Sequence, residues 1–243
     1  MKCIILAAGY ATRLYPLTKH TAKPLLKVGD QTILQHILDK VERVDEIDDI
    51  YIVTNDRFYR DFCDWVATYA GDKAIEVIND HTTSNANRLG AIADIQYVLR
   101  EKDIQEDIMV LAGDNLFEFE LTAFVDFYHK KQADCITVHE LNDTEEIKRS
   151  GVVQVDGSGK VTDFEEKPAA PKSNLAVPPF YMYQKETLPL INQYLSAGNN
   201  PDAPGNFIPW LIQHKDVYAY TFTGMRYDIG TIESYEAVQQ LFR

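Results

Sequence analysis

Short apolar runs alternate with amphipathic stretches along the first half of the chain. Four runs rich in Ile, Val and Leu predict buried strands, at residues 2–7, 50–54, 74–78 and 108–112. Between them, apolar residues recur three and four positions apart, which predicts helices over 34–44, 58–69 and 89–98. This alternation is typical of parallel βαβ units with right-handed crossovers, so the pattern predicts an α/β fold.

The pattern changes in the second half of the chain. Residues 151–155 and 160–166 flank Asp156-Gly157-Ser158-Gly159, which predicts a β-hairpin inserted into the α/β pattern. Further segments are predicted as extended at 174–183, helical at 185–195 and 206–213, a strand at 217–222 and a helix from about 232. The sequence shows neither repeats nor low-complexity tracts. We therefore expect one composite domain, 1–243, in which the loop 199–205 is the most mobile segment.

The composition indicates a folded protein without a membrane segment. Its 243 residues are 45% apolar, which is enough for one continuous core. The N-terminal apolar run is too short for a signal peptide or a membrane span. Cys3, Cys63 and Cys135 lie far apart and fit neither a disulfide framework nor a zinc site. A reducing, cytoplasmic location is therefore expected.

The net charge of −13 argues against nucleic acid as a partner. This charge repels a phosphate backbone, and no cluster of Lys and Arg offsets the repulsion. We expect neither a nucleic acid nor a membrane as a partner. A small polyanion such as a nucleotide must be held locally, by a few placed cations, backbone N–H groups or a divalent metal.

The loop after the first strand carries the most specific motif. It reads Leu-Ala-Ala-Gly-Tyr-Ala-Thr-Arg-Leu-Tyr-Pro-Leu-Thr over residues 6–18, with Lys23-Pro24 downstream. Small residues let backbone N–H groups approach a phosphate, and a guanidinium can bind two phosphoryl oxygens at once. Each element alone is weak, since a glycine in such a turn is usually only turn chemistry. Neither GxGxxG nor GxxxxGKS/T is present, which argues against a dinucleotide-binding loop and an ATPase P-loop.

As a whole, this stretch resembles the signature of the sugar nucleotidylyltransferase family. That signature runs roughly Leu-Ala-Ala/Gly-Gly-x-Gly-Thr-Arg-Leu-x-Pro-x-Thr, with a Lys-Pro a few residues on. The resemblance implies that Arg13 holds the β and γ phosphates of a nucleoside triphosphate and that Lys23 bridges to the α-phosphate. The chain departs from the signature at Ala11, where the family has its second glycine. The loop residues implied to line the base and the phosphates are Ala7, Ala8, Gly9, Tyr10, Ala11 and Thr12.

Two aspartates are candidate metal ligands. Asp114 follows the fourth predicted strand, at the edge where open α/β sheets bind ligands, and Asp228 lies in Tyr-Asp-Ile-Gly-Thr near the C-terminus. From the residues alone, Asp114 fits ordinary turn chemistry and Asp228 fits a cap for the following helix. The resemblance implies instead that both ligate Mg²⁺. Two carboxylates completed by triphosphate oxygens and water suit octahedral Mg²⁺.

The segment after the predicted hairpin resembles the sugar-phosphate site of the family. It reads Phe-Glu-Glu-Lys-Pro over 164–168, and charged residues at a strand end are otherwise mostly solvated. The resemblance implies that Glu166 grips sugar hydroxyls and that Lys167 pairs with the phosphate of the sugar. Where the family often has tyrosine before the corresponding glycine, this chain has Ser150. The same site is implied to include Asn115, Gly151, Asn174 and Tyr181.

A polar loop at residues 82–90 corresponds to the base-reading segment of the family. Arg88 stands where thymidylyl- and uridylyltransferases commonly have glycine, which adds a cation beside the nucleotide. The residues alone also fit a capped helix start, with Ser84, Asn85 or Asn87 as the cap, and both interpretations stay open. The resemblance implies contacts between the nucleotide and Asn85, Arg88, Leu89 and Gly90.

The resemblance covers nearly the whole chain and implies a single Rossmann-like, GT-A-type nucleotidyltransferase domain with a mixed, mainly parallel central sheet. Residues 1–115 are implied to bind mainly the nucleotide and residues 116–243 mainly the sugar phosphate. We expect no C-terminal β-helix of the kind fused to some acyltransferase relatives. The implied reaction transfers a nucleotidyl group from dTTP or UTP to a sugar-1-phosphate, with glucose-1-phosphate favoured, and releases pyrophosphate.

Two alternatives remain open on the sequence, and a third is disfavoured. A cytidylyltransferase for phosphocholine or a polyol phosphate would share the first loop, although segment 164–168 favours a sugar. A non-catalytic nucleotide-sugar-binding subunit is kept open by Ala11 and Arg88. A nucleotide-sugar-dependent glycosyltransferase shares the broad fold, but no Asp-x-Asp motif stands at the end of the fourth predicted strand. The sequence is compatible with a homo-oligomer and does not reveal the oligomeric state.

Overall fold

Apolar, β-branched runs form the strands, and amphipathic stretches form most of the helices. The structure, a computed structural model, describes residues 1–242. Its strands are β1 (Lys2–Leu6), β2 (Lys27–Val28), β3 (Gln31–Thr32), β4 (Asp49–Thr54), β5 (Ala74–Asn79), β6 (Ile108–Ala112), β7 (Asn115–Phe117), β8 (Asp134–Glu140), β9 (Gly151–Val155), β10 (Val161–Glu166), β11 (Leu175–Ala176), β12 (Phe180–Tyr183), β13 (Val217–Thr221) and β14 (Arg226–Asp228). Its α-helices are α1 (Ile33–Val41), α2 (Tyr59–Val66), α3 (Ala91–Glu101), α4 (Leu121–Lys131), α5 (Thr144–Ile147), α6 (Leu188–Ser196), α7 (Ile208–Leu211) and α8 (Ile232–Leu241).

One large sheet joins strands from both halves of the chain. Its order is β10-β9-β11-β8-β12-β6-β1-β4-β5, and β13 pairs with β8. The central strand β1 runs parallel to β4 and β6, and Leu6 at its end pairs with Val53 and Ala112. The later strands join through β12, which is antiparallel to β6. The loops after β1 and β6 therefore leave the sheet side by side, where open α/β sheets bind ligands.

Helices cover both faces of this sheet. One face packs Cys3 and Ile5 of β1 against α1, α2, α4 and α8, and the other packs Ile4 against α3, α6 and α7. Successive side chains of a strand point to opposite faces, so β1 is buried on both sides. This explains why the first strand is a continuous apolar run rather than an alternating one.

The predicted α/β class and the inserted hairpin are confirmed. The strands β9 and β10 pair antiparallel around the turn at 156–159, and the first four predicted strands match β1, β4, β5 and β6. The segment predicted as helical at 206–213 contains only α7, because a 3-10 turn at Pro204–Phe207 precedes it. The pattern analysis did not identify α4, β8 or the short pair β7 and β14. None of the helices in residues 1–242 has the length and apolar character that a membrane span requires.

Candidate active site

A cleft of about 650 Å³ opens at the carboxyl ends of β1 and β6. Its walls come from the loop after β1, the start of α3, the ends of β6 and β10, and the segment 202–205. Predicted site residues from both halves of the chain line it together: Ala7, Ala8, Gly9, Tyr10, Ala11, Thr12, Arg13, Lys23, Asn85, Arg88, Gly90, Asp114, Asn115, Gly151, Glu166, Lys167, Tyr181 and Asp228.

Two predicted contacts lie outside the cleft. Leu89 is half-buried and contributes nothing to the cleft walls. Asn174 is exposed, and its carbonyl oxygen accepts a hydrogen bond from Leu141 N–H, which ties it to the chain after β8. The chain after Asn174 first reaches the cleft at Val177, whose N–H donates to the carbonyl oxygen of Gly151 at 2.8 Å. The structure therefore brings the other predicted contacts together in the cleft and leaves Leu89 and Asn174 outside its walls.

Hydrogen bonds hold the loop after β1 against the end of the sheet. Gly113 N–H donates to Leu6 O at 2.9 Å, and the Asn55 side chain donates to Ala8 O at 2.9 Å. A Cβ on Gly113 would lie 2.9 Å from Leu6 O, so only glycine allows this approach. The first loop and the end of β6 are thereby fixed next to each other.

Ala11 has a backbone conformation that favours glycine. Its φ and ψ are 45° and 42°, in the left-handed region. The Thr18 hydroxyl donates to Ala11 O at 2.7 Å, and Leu14 N–H donates to the same oxygen at 3.0 Å. The departure from the family signature thus falls where the backbone conformation itself favours glycine.

Lys23 joins the two predicted metal ligands. Its Nζ lies 2.8 Å from Asp114 Oδ2 and 4.0 Å from Asp228 Oδ1, and Lys23 is only 6% exposed. Burial raises the pKa of Asp114, but Lys23, Asn115 and Arg226 outweigh that effect and hold the pKa below its ordinary value. Asp114 is therefore ionised at neutral pH, as a ligand of a cation must be.

Strand pairing brings the second aspartate to the first. The strands β7 and β14 are antiparallel, with Asp228 opposite Asn115, so two carboxylates approach one ammonium group. The cap of α8 is Thr231, whose side chain accepts a hydrogen bond from Ser234 N–H at 3.2 Å. The interpretation of Asp228 as that cap is therefore wrong.

The donor set at this position suits a hard divalent cation. The carboxylates of Asp114 and Asp228 converge on one positive charge. Within residues 1–242, no group of three or more His, Cys, Asp or Glu side chains is placed to hold a metal. The carboxylates of Asp114 and Asp228 alone do not complete the coordination shell of a cation. At nucleotide sites Mg²⁺ is held by one or two carboxylates together with phosphate oxygens and water.

Arg226 is a site residue that the sequence analysis missed. Its Nη1 donates to Asn115 Oδ1 at 2.9 Å, and its Nη2 lies 3.9 Å from Asp228 Oδ2. Asn115 Nδ2 in turn donates to Asp114 Oδ1 at 2.7 Å. The available signal was a cation two positions before Asp228, since side chains two apart on a strand share a face. Arg149 also lines the cleft and was also missed.

Two glycines leave room for the Glu166 carboxylate. A Cβ on Gly151 would lie 2.9 Å from Glu166 Oε2, and a Cβ on Gly205 would lie 3.1 Å from the same atom. The Phe164 ring would lie 2.7 Å from the Cβ on Gly151 and 2.9 Å from the Cβ on Gly205. Lys167 has a left-handed backbone with φ 49°, and its Nζ lies 3.5 Å from Glu166 Oε1. A carboxylate and an ammonium group thus stand side by side in the cleft wall.

Arg88 forms a bidentate ion pair within the cleft wall. Its Nε and Nη2 donate to the two carboxylate oxygens of Asp202, both at 2.8 Å, and its Nη1 donates to Asn85 O at 2.8 Å. Bidentate pairs of this kind fix both partners in one geometry. The pair therefore joins the loop 82–90 to the loop 199–205, and Asp202 offsets the added positive charge.

The helix α3 begins without a side-chain cap. The residue before it is Gly90, with φ 95°. Ala91 N–H donates to Asp202 O at 3.1 Å, and Ile92 N–H donates to Pro201 O at 2.9 Å. A Cβ on Gly90 would lie 2.7 Å from Pro201 O, so glycine allows the loop 199–205 to cap the helix with its own carbonyl groups. The interpretation as a helix cap is therefore wrong for Ser84, Asn85 and Asn87.

Comparisons with known proteins give consistent matches. The family model described as nucleotidyl transferase matches residues 2–243. The chain is 29% identical over 232 residues to the bifunctional protein GlmU of Methanocaldococcus jannaschii, which covers 95% of this chain and 51% of that protein. It is 29% identical over 265 residues to the glucose-1-phosphate adenylyltransferase of Rhodopirellula baltica, which covers 96% of this chain and 58% of that protein. The chain spans between half and three fifths of the length of these relatives.

Solved structures share the fold over the whole length. A Bacillus anthracis protein described as a glucose-1-phosphate thymidylyltransferase, solved with sucrose, superposes with a TM-score of 0.85 at 24% identity, covering 100% of this chain and 95% of that one. A UDP-glucose pyrophosphorylase solved with UDP-glucose gives a TM-score of 0.84 at 24% identity, covering 99% and 97%. At these identities the likeness is one of fold.

Proposed function

The chain belongs to the nucleotidyl transferase family, and we propose that it transfers a nucleotidyl group from a nucleoside triphosphate to a sugar-1-phosphate, with release of pyrophosphate. The observation that carries the proposal is the convergence of Lys23, Asp114 and Asp228 in one cleft, with Arg13 and Lys167 in its walls. The reaction must bring two polyanions together. Three cations, and a metal held by two carboxylates, would offset the repulsion between them.

The proposed chemistry is an in-line attack by an oxygen of the sugar phosphate on the α-phosphorus of the triphosphate. The new P–O bond forms as the bond to the β-phosphate breaks, and pyrophosphate leaves. The attacking phosphate is already an anion, so the reaction needs no general base. When bound, Mg²⁺ supplies positive charge to the phosphate oxygens. Catalysis then rests on positioning and on stabilising the charge that develops during transfer.

The cations of the cleft have separate proposed roles. Lys23 contacts the α-phosphate, because it lies between the two aspartates that would hold the metal. Arg13 binds the β and γ phosphates. Its side chain lies beside Gly230, two residues after Asp228, since Nη2 is 4.0 Å from the position that a Cβ on Gly230 would occupy. Lys167 binds the phosphate of the sugar, and Glu166 beside it accepts hydrogen bonds from sugar hydroxyls.

We favour dTTP or UTP as the nucleotide, glucose-1-phosphate as the acceptor and Mg²⁺ as the metal. The support is the resemblance of the first loop and of segment 164–168 to the family pattern. The names of several similar proteins also refer to glucose-1-phosphate. Mg²⁺ would be held by Asp114 and Asp228. The cytoplasmic location and a homo-oligomeric state stay predictions.

The test is pyrophosphate release across five nucleoside triphosphates and a panel of acceptors, with and without Mg²⁺. The panel contains several sugar-1-phosphates, phosphocholine and a polyol phosphate. We expect Mg²⁺-dependent release, largest for dTTP or UTP with glucose-1-phosphate. Release with CTP and a non-sugar phosphate alone would instead establish a cytidylyltransferase. Absence of release for every pair would reject enzymatic activity and favour a nucleotide-sugar-binding subunit.

A metal titration adds a check on the proposed ligands. Asp114→Asn is expected to shift the Mg²⁺ dependence of pyrophosphate release to higher concentrations, because an amide is a weaker ligand than a carboxylate. Asp126→Asn makes the same change on the exposed side of α4 and should titrate like the wild type. An unchanged titration for Asp114→Asn would count against its role as a ligand.

A further inference from the structure

Five side chains of the cleft form a closed ring of contacts that includes both candidate metal ligands. Lys23 Nζ lies 2.8 Å from Asp114 Oδ2 and 4.0 Å from Asp228 Oδ1. Asn115 Nδ2 donates to Asp114 Oδ1 at 2.7 Å, and Arg226 Nη1 donates to Asn115 Oδ1 at 2.9 Å. Arg226 Nη2 closes the ring, 3.9 Å from Asp228 Oδ2. The proposed reaction gives a role to Lys23 and to the two aspartates but none to Arg226.

Burial divides the members of this ring into two groups. The side chains of Asp114 and Asp228 are 40% and 55% exposed, and both residues line the cleft. Asn115 is only 3% exposed, and the side chain of Arg226 is 12% exposed. The aspartates are therefore open to a cation from the cleft, whereas Asn115 and Arg226 are largely enclosed by the protein.

The pairing of β7 with β14 sets the positions of these enclosed residues. Asn115 stands opposite Asp228 in this pair, and Arg226 stands opposite Phe117. Side chains two residues apart on a strand share a face, so Arg226 and Asp228 point to the same side of β14. The guanidinium thereby reaches Asn115 on the neighbouring strand, next to the turn that carries Asp114.

Arg226 determines which way the Asn115 amide points. A guanidinium only donates hydrogen bonds, so the amide atom that faces it must be the oxygen. The amide N–H₂ group is then directed at Asp114 Oδ1, while Lys23 holds Oδ2. Each oxygen of Asp114 thus has one donor, and rotation of the carboxylate would break one of these bonds.

We propose that Arg226 is a positioning residue of the candidate metal site. It holds Asp114 through Asn115 and faces Asp228 directly, so that two carboxylates converge on one cation. Hydrogen-bond partners that orient metal ligands in this way typically contribute about 10- to 100-fold to metal affinity or activity. The inference rests on the proposed function only in taking the two aspartates as ligands of a divalent metal that binds together with a triphosphate.

Three possible roles of Arg226 predict different effects of its removal. As a positive charge alone, it would repel a divalent cation, so its loss would tighten metal binding. As a direct ligand of the phosphates, it would stabilise a bound triphosphate equally with and without metal. As a positioning residue, it keeps the carboxylates in place, so its loss weakens triphosphate binding only when metal is present. The sign and the metal dependence of the effect therefore identify the role.

The experiment measures the affinity for dTTP and for UTP by calorimetric titration, once with Mn²⁺ as the probe metal and once with EDTA. The wild type is expected to bind more tightly with Mn²⁺. Arg226→Met should lose about tenfold in affinity with Mn²⁺ and change by less than about threefold with EDTA, because only the metal-bound complex depends on oriented carboxylates. Arg60→Met removes an exposed arginine of α2 and should match the wild type under both conditions.

A double-mutant cycle tests the path through Asn115. Asn115→Leu removes the amide that joins Arg226 to Asp114 and should cost as much affinity with Mn²⁺ as Arg226→Met. The double variant should also lose about tenfold rather than about a hundredfold, because residues that act through one shared contact are not additive. Arg226→Lys keeps the charge without the planar fork and should show a smaller loss in the same direction. Thermal unfolding establishes that each variant is folded.

The outcomes separate this inference from the proposed function. Arg226→Met binding that is unchanged or tighter with Mn²⁺, or weakened equally with Mn²⁺ and EDTA, would overturn the positioning role, as would an additive double variant. If Arg226→Met does not fold, the same comparison with Arg226→Lys decides. Loss of the Mn²⁺ effect in Arg226→Met, without pyrophosphate release by the wild type, would reject the proposed function and support this inference. Pyrophosphate release together with an undiminished Mn²⁺ effect in Arg226→Met would do the reverse, and absence of triphosphate binding by the wild type would overturn both.

Discussion

At the scale of single residues, the placement of a few charges outweighs the charge of the whole chain. The net charge is −13, yet the buried ammonium group of Lys23 lies within 4.0 Å of two carboxylates in the cleft. At such distances in a partly buried site, a Coulomb interaction is several times stronger than in bulk water, whereas distant surface charges are screened beyond about 10 Å. An acidic protein can therefore hold a polyanion in a cleft that Arg13, Lys23 and Arg226 line.

Lys23→Ala is expected to lower kcat by about 10²- to 10³-fold, because the α-phosphate loses a positive charge in the transition state. The variant should remain folded, since Asp114 keeps its bond from Asn115 and lies near Arg226. Steady-state kinetics with the best substrate pair and circular dichroism measure the two effects. Lys19→Ala removes an exposed lysine nearby and should have wild-type kcat. A fully active Lys23→Ala variant would contradict the proposed role.

Ala11→Gly is expected to raise the free energy of unfolding by about 0.5 to 1 kcal/mol. The left-handed conformation costs alanine about 1 to 2 kcal/mol, and glycine avoids this cost. Glycine is also more flexible in the unfolded chain, which offsets part of the stabilisation. Urea denaturation measures the change. Ala8→Gly is the comparison, because Ala8 is buried and has no left-handed backbone, and it should destabilise the protein. Equal destabilisation by both substitutions would show that Ala11 carries no strain.

At the scale of elements, short strands and turns shape the cleft more than the long helices do. The strands β7 and β14 have three residues each, yet their pairing sets Asp228 opposite Asn115. The strands β9 and β10 place Gly151 opposite Glu166 at the end of the hairpin. Each of these pairings brings side chains of two different strands together in the wall of the cleft.

Gly151→Ala is expected to raise the KM for the sugar phosphate by about tenfold and to leave the KM for the triphosphate nearly unchanged. The added Cβ would lie 2.7 Å from the Phe164 ring and 2.9 Å from Glu166 Oε2, so the carboxylate must move out of its proposed sugar-binding position. Varying each substrate in turn separates the two constants. Gly157→Ala, in the open hairpin turn where no atom lies within 4 Å of an added Cβ, is the matched control. Equal effects on both KM values would argue against a local role for Glu166.

The sequence analysis missed the short strands β7 and β14 for a physical reason, but it also missed the long elements α4 and β8. The strand β1 and the helix α1 contain enough residues for a periodicity to be visible, whereas the three residues of β14 do not complete two repeats. The helix α4 has Leu121, Phe124, Val125 and Tyr128 at helical spacing, so the same test would have identified it. The bond between Arg226 and Asn115 joins residues 111 positions apart, and no local pattern predicts such a pairing.

At the scale of the whole molecule, the cleft lies where the two halves of the sheet meet. The strands before residue 115 form the side that ends at β6, and the later strands begin at β12 beside it. The parallel side supplies the loops after β1 and β6, and the antiparallel side supplies β9 and β10. The second side must therefore stay folded for the cleft to keep its geometry, although Asp134, a buried polar residue of that side, lies away from the cleft.

Asp134 at the start of β8 is the main buried polar contact of that side. Its side chain is fully buried and accepts hydrogen bonds from the Thr187 hydroxyl at 2.6 Å and from Gln184 N–H at 2.8 Å, while Lys215 Nζ lies 3.3 Å away. It thereby ties β8 to the chain after β12 and, through Lys215, to the turn between α7 and β13. Its removal would leave the partly buried ammonium group of Lys215 without its carboxylate and the Gln184 N–H without its acceptor.

Asp134→Ala is therefore expected to lower the free energy of unfolding by about 3 kcal/mol, at the lower end of the range for a broken buried ion pair, because Lys215 still reaches solvent and Gln184. Urea denaturation measures the loss, and Asp126→Ala on the exposed side of α4 should change it by less than about 0.5 kcal/mol. Since Asp134 does not line the cleft, the folded variant should keep wild-type kcat at low temperature. A loss of kcat without a loss of stability would mean that β8 acts on the site directly rather than by holding the second side of the sheet in place.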